Sequence, residues 1–148
     1  MKKFESVNEI LDFAIINEQD AVDFYSGYAE KVKGELKTMF LEFAQEEIKH
    51  KARLMKIKEE RMFTFSPQKI QELNISDYTT NFSLDMTYQD ALILAMAKEK
   101  AAFKLYVYLA AQTEVPPLKA IFLSLAQEES KHKLRFEIEY DEYILKEN

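Results

Sequence analysis

Two stretches of fifteen residues decide how this sequence folds: FLEFAQEEIKHKARL at 40–54 and FLSLAQEESKHKLRF at 122–136. They align without a gap, and ten of the fifteen positions are identical. In both stretches apolar residues recur every three or four positions, which is the spacing along one face of an α-helix. The chain therefore contains the same amphipathic helix twice, and a repeat of this kind indicates a repeated structural unit.

The repeated unit is a helical hairpin. The helix that precedes each stretch is also repeated, at an offset of 81 residues, so that Glu18 matches Glu99 and Tyr25 matches Tyr106. Each half of the chain thus consists of one helix, a short turn and a second helix. The two halves are copies of each other.

Turn and capping signals set the boundaries of the hairpins, which we predict over 6–61 and 87–147. Ser6 and Thr87 are each followed three residues later by an acidic residue, as is typical of helix N-caps. Gly34 is predicted to cap the C-terminus of the first helix. The second helix is expected from about Leu36 to Arg61, and Pro116-Pro117 separates the third from the fourth.

The irregular segment 62–86 joins the two hairpins and is long enough to travel the length of a helix bundle. Such a crossover makes the second and third helices parallel, as in ferritin-like bundles and unlike a simple up-down-up-down bundle. We therefore predict one all-α domain over 1–148, a ferritin-like four-helix bundle made of two repeated helical hairpins.

Composition excludes several classes of protein. The 148 residues include 2 Gly, which argues against an all-β or dinucleotide-binding fold, and 0 Cys, which excludes disulfides, zinc fingers and thiolate-held clusters. The net charge of −6 argues against nucleic-acid binding. No apolar run is long enough to cross a membrane. A soluble cytoplasmic protein is expected.

Each copy of the repeat contains Glu-x-x-His, as Glu47 with His50 and as Glu129 with His132. Residues three apart share one face of a helix, so a carboxylate and an imidazole at this spacing can bind one metal ion together. The apolar pattern places both pairs in the line of core residues. Glu46 and Glu128 lie four residues before each histidine and are the alternative ligands.

The first and third helices add one glutamate each, because the apolar pattern also places Glu18 and Glu99 on the buried face. Counted from the turns, all four glutamates and both histidines can meet in one layer. Buried carboxylates without counter-charges are costly, and no Lys or Arg is expected at the matching core positions. Two divalent cations would neutralise four glutamates, so the sequence predicts a dinuclear metal site.

With this ligand pattern the chain resembles the ferritin-like di-iron carboxylate proteins, and within them the rubrerythrins, with bacterioferritin as the nearest rival. The resemblance covers nearly the whole chain. It implies two iron ions, with Mn or Zn as alternatives, and an expected ligand set of Glu18, Glu47, His50, Glu99, Glu129 and His132.

Two departures from the rubrerythrin pattern matter. The additional carboxylate that rubrerythrins carry one turn after the third-helix ligand is replaced here by Ala102, which puts their change of carboxylate ligation in doubt. The rubredoxin-like domain with its four-cysteine iron is also not expected, because the 148 residues contain 0 Cys. Against bacterioferritin, the position of the haem-binding methionine is occupied by Ile48, and a fifth helix is not expected.

The resemblance implies a peroxidase of the oxidative-stress type, a homodimer that reduces hydrogen peroxide or dioxygen with electrons from a separate donor protein such as a rubredoxin. Glu18 and Glu99 would act together with the metal centre. Tyr25 and Tyr106 follow them by two helical turns and are either hydrogen-bond partners of a ligand carboxylate or plain core residues. The alternative functions are iron storage, or a metal-stabilised bundle without redox activity.

Overall fold

The computed structural model of the protein describes residues 6–60 and 86–147. Within these ranges the chain forms four α-helices and no β-strand: α1 Val7–Ala29, α2 Gly34–Glu60, α3 Tyr88–Gln112 and α4 Pro116–Glu147. The all-α prediction is confirmed for this part of the chain. The predicted helix end at Arg61 and the predicted crossover over 62–86, apart from Met86, lie outside the described residues.

The first hairpin consists of α1 and α2. The Ser6 hydroxyl accepts a hydrogen bond from the Glu9 N–H at 3.1 Å, so the predicted N-cap is confirmed. Near the turn the Tyr28 and Phe40 rings pack with their centroids 5.5 Å apart, and at the other end Lys58 forms an ion pair with Asp12. As the residue number rises on α1 it falls on α2, so the two helices are antiparallel.

The turn between α1 and α2 differs from the prediction. Helix α1 ends at Ala29, with Glu30 as its C-cap in a right-handed conformation, and not at Gly34. The Glu30 N–H closes the last turn on the carbonyls of Gly27 and Tyr28. Gly34 has a φ of +62° and is the first residue of α2. The left-handed glycine therefore redirects the chain into α2 instead of ending α1.

The second hairpin consists of α3 and α4. The Thr87 hydroxyl accepts a hydrogen bond from the Asp90 N–H at 3.2 Å, so this N-cap is confirmed too. Pro116 occupies the first position of α4, where its missing N–H costs no helical hydrogen bond. At the open end the rings of Tyr88 and Tyr143 pack edge to face, with centroids 5.3 Å apart.

The buried face of α3 is not quite the predicted one. The apolar spacing of Leu92, Ala95, Phe103 and Tyr106 predicts Phe103 in the core, whereas its side chain is 38% exposed. Leu105 is buried in its place, beside Tyr106. A helix that is apolar on several sides offers more than one candidate core face, so periodicity alone does not choose between them.

None of the helices in the described ranges is long and apolar enough to cross a membrane.

Replacing Gly34 by Ala is expected to lower the free energy of unfolding by about 1 kcal/mol, because a left-handed φ is strained for a residue with a Cβ atom. No heavy atom lies within 4 Å of the position that a Cβ would occupy, so the loss is conformational and not steric. Gly34→Asn, which tolerates this conformation, is the matched control and should lose less. Urea unfolding of both variants measures the difference, and equal stabilities would contradict the argument.

Candidate metal centre

The first hairpin brings together three of the predicted ligands. Glu18 on α1 and Glu47 and His50 on α2 are each at most 1% exposed. The His50 Nδ1 atom lies 3.7 Å from the Glu18 Oε2 atom and 3.7 Å from the Glu47 Oε1 atom. Each of the three residues offers a ligand atom, and these atoms lie within 4.8 Å of one another.

The second hairpin repeats the arrangement with Glu99 on α3 and Glu129 and His132 on α4. Both glutamates are 0% exposed and the histidine is 3% exposed. The His132 Nδ1 atom lies 3.7 Å from the Glu99 Oε1 atom, the same distance as for the matching pair of the first hairpin. The ligand atoms of this set also lie within 4.8 Å of one another.

These distances suit a shared cation. Two atoms that bind one ion at typical lengths of about 2.0–2.2 Å can be no more than about 4.4 Å apart. A separation of 3.7 Å between the His50 and Glu18 atoms satisfies that limit, whereas it is too long for a direct hydrogen bond. Carboxylate oxygen with imidazole nitrogen, and no thiolate, is a donor set that suits iron, manganese or zinc. The residues present therefore fit a metal ion in each hairpin.

Burial separates the predicted ligands from their alternatives. Glu46 is exposed and Glu128 is half-buried, whereas Glu47 and Glu129 are fully buried. A glutamate three residues before the histidine shares its inward face, and the glutamate one position earlier is rotated away from that face by about 100°. The geometry therefore favours the i−3 glutamates in both hairpins.

Sequence reasoning missed Lys98. Its side chain is only 4% exposed, and its Nζ atom lies 3.0 Å from the Glu129 Oε2 atom and 3.4 Å from the Glu99 Oε1 atom. No Lys or Arg was expected at the core positions of the apolar pattern, and Lys98, which lies off that pattern, nevertheless reaches the buried carboxylates. Lys98 sits beside Glu99 and off the apolar stripe, but its four-carbon stem carries the ammonium from α3 to α4. Comparison of the two repeats could have identified Lys98, because the matching position in the first hairpin is Asn17.

Both predicted tyrosines are buried, Tyr25 at 0% and Tyr106 at 1% exposure. The Tyr25 ring lies between two phenylalanines of α2, with centroid distances of 6.1 Å to Phe40 and 6.3 Å to Phe43. This packing fixes the ring within the first hairpin. A hydrogen bond from either hydroxyl to a ligand carboxylate stays a prediction.

Polar contacts hold α2 against α1 beside the first ligand set and nearer the open end of the hairpin. The Lys51 ammonium donates to the Gln19 Oε1 atom at 2.8 Å, and Lys58 pairs with Asp12. Lys51 and Lys58 of α2 thus bind α1, and these contacts give the two lysines a structural role.

Comparisons with known proteins agree with this geometry. The family model described as Rubrerythrin matches residues 9–83 and 90–148. A Thermotoga maritima protein described as ferritin-like and diiron-carboxylate has a similar solved structure, with a TM-score of 0.77, 20% identity, and coverage of 97% of this chain and 99% of that one. A hypothetical protein from Pyrococcus furiosus is 30% identical, with a TM-score of 0.70 and coverage of 92% and 89%. No curated protein matches the chain.

The structural likeness establishes the fold as an all-α four-helix bundle of the ferritin-like type, as the sequence predicted. The family match spans nearly the whole chain, including both Glu-x-x-His helices. The chain belongs to the rubrerythrin family.

Proposed function

We propose that the six buried ligands hold two iron ions, and that the protein reduces hydrogen peroxide or dioxygen with electrons from a separate donor. The observation that supports this proposal is that both hairpins contain the same group of candidate metal ligands. Each hairpin presents two buried carboxylates and one imidazole with ligand atoms within 4.8 Å of one another.

The charges support cations at these positions. An ionised carboxylate removed from water costs several kcal/mol even after the protein relaxes, unless a counter-charge or hydrogen bonds compensate it. Each hairpin buries two of them, so one divalent ion per hairpin balances the charge. Lys98 supplies a single positive charge in the second hairpin.

Iron is favoured over the alternatives by the family and by the reaction it permits. The Thermotoga maritima structure is described as a diiron-carboxylate protein, and oxygen and imidazole ligands are suited to iron. Two bound ferrous ions would supply the two electrons that convert one hydrogen peroxide and two protons into two water molecules.

The side chains of this chain have distinct parts in the proposed reaction. The glutamates fix the positions of the cations and compensate their charge. Each histidine presents its Nδ1 atom towards the carboxylates, so the ring orientation is already that of a ligand. Tyr25 is fully buried and its ring packs against Phe40 and Phe43, which fixes its position in the hairpin. In the proposal its hydroxyl and that of Tyr106 donate hydrogen bonds to ligand carboxylates.

The electrons come from outside these residues in the proposal. The 148 residues contain 0 Cys and therefore cannot form the four-thiolate iron centre that a rubredoxin uses. A separate protein such as a rubredoxin is the proposed donor. The homodimer and the cytoplasmic location remain predictions from the sequence.

Ala102 bears on the choice between peroxide and dioxygen. It lies on α3 one turn after Glu99 and is half-buried. A methyl group offers no oxygen atom, so no carboxylate at this place can exchange with another ligand during a reaction cycle. The proposal therefore names both oxidants, and kinetics must distinguish them.

Glu47→Gln is expected to abolish the stabilisation that metal confers on the protein. A ligand present at a hundred times its dissociation constant stabilises the folded state by about 2.7 kcal/mol, and the wild-type chain should show a gain of this size on adding Fe²⁺ without oxygen. Glu46→Gln, one residue away and exposed, is the matched control and should keep the gain. Thermal unfolding with metal analysis measures both, and loss of the gain in Glu46→Gln alone would assign the ligand to Glu46.

The diferrous protein is expected to be oxidised by hydrogen peroxide faster than free ferrous ion is, in stopped-flow mixing. Glu129→Gln should slow this step about 10- to 100-fold, the range found when groups around a metal are disturbed, and Glu128→Gln should not. A wild-type rate equal to that of free iron would overturn the proposed activity. Assembly into a large hollow shell on size-exclusion chromatography would favour iron storage instead.

A further inference from the structure

The two hairpins match in their six ligands but differ at the residue before the first glutamate of each. Asn17 precedes Glu18, and Lys98 precedes Glu99. The Asn17 side chain is half-buried and uncharged, whereas Lys98 is buried and carries an ammonium. The repeat thus places one fixed positive charge beside one ligand set and none at the matching place beside the other.

The Lys98 ammonium contacts both carboxylates of its own set. Its Nζ atom is at hydrogen-bond distance from the Glu129 Oε2 atom, at 3.0 Å, and lies 3.4 Å from the Glu99 Oε1 atom. A metal ion bound by the second hairpin would use oxygens of these same two glutamates. The ammonium and the metal therefore compete for the same negative charge.

We propose that Lys98 makes the two metal positions unequal, so that the position of the second hairpin binds its ion more weakly and fills last. This inference rests on the metal centre proposed above. At the first hairpin an incoming cation meets two carboxylates with no ammonium at the Asn17 position. At the second hairpin it meets two carboxylates that already share a positive charge, and like charges repel strongly where water is excluded.

Two metal positions of different affinity have a consequence for the proposed reaction. When metal is scarce, the chain holds one ion in the first hairpin and the second position stays without one. A two-electron reduction needs an ion at both positions, so the protein becomes competent only at the metal concentration that fills the weaker one. Lys98 would thereby set the metal level at which the activity begins.

Titration with Co²⁺, which reports its coordination by visible absorption, tests the proposal without any turnover. The wild-type chain is expected to bind two ions in two steps whose dissociation constants differ by about tenfold or more, in line with the effect of residues next to metal ligands. Lys98→Asn, which copies the first hairpin, should tighten the weak step by a similar factor and leave the strong step unchanged. Asn17→Lys should weaken the strong step.

Further variants assign the steps and control for surface charge. Glu18→Gln should remove the strong step and Glu99→Gln the weak one. Lys104→Asn removes an exposed lysine from the same helix and should change neither. Circular dichroism checks folding, and Lys98→Gln replaces Lys98→Asn if the latter unfolds.

The outcomes distinguish a failure of the role assigned to Lys98 from a failure of the metal centre itself. Two equal steps in the wild-type chain, or a weak step that Lys98→Asn and Lys98→Gln both leave unchanged, would overturn the role of Lys98 while keeping the metal centre. A wild-type chain that binds no Co²⁺ and no Fe²⁺ would overturn the metal centre itself.

Discussion

Burial of negative charge is the constraint on which the rest of this structure depends. Each hairpin places two glutamates where at most 1% of their surface meets water, and apolar packing alone cannot stabilise such groups. Polar groups lie next to the buried carboxylates in both hairpins. A histidine on the same helix presents Nδ1 towards a carboxylate in each half, at 3.7 Å. Polar contacts from Lys51 and Lys58 hold the two helices of the first hairpin together.

Much of the fold was predictable because repetition and periodicity reinforce each other. The hydroxyl caps at Ser6 and Thr87 depend on local hydrogen bonds, so three or four residues suffice to recognise them. The candidate ligands point inward because they share the helical spacing of the apolar residues. The same spacing occurs in both halves of the chain, which strengthens the prediction. Positions that depend on tertiary packing were less predictable. Phe103 is exposed because α3 has more than one apolar side, and Gly34 serves the start of a helix and not the end of one.

Lys98 shows a different limit of reasoning from periodicity. A helical pattern assigns each residue to a face by the direction of its Cα–Cβ bond, which works for short and branched side chains. A lysine stem extends several bonds beyond that point, so its charge can lie on a face to which its Cα does not belong. Comparison of the two halves does detect it, because a lysine in one copy and an asparagine in the other mark a difference next to otherwise identical ligands.

Two residues of α3 bear on the candidate site, one as a difference between the hairpins and one as a difference from the rubrerythrin pattern. Lys98 adds a positive charge next to Glu99, and Ala102 withholds the carboxylate that rubrerythrins carry one turn later. Lys98 distinguishes the second hairpin from the first, whereas Ala102 is matched by Ala21 at the same place in the first hairpin. The first hairpin keeps two carboxylates and a histidine with no lysine at the position that matches Lys98. A duplicated scaffold can therefore supply two similar metal positions while a single helix sets them apart, so α3 is where the chemistry of this chain would diverge from that of its relatives.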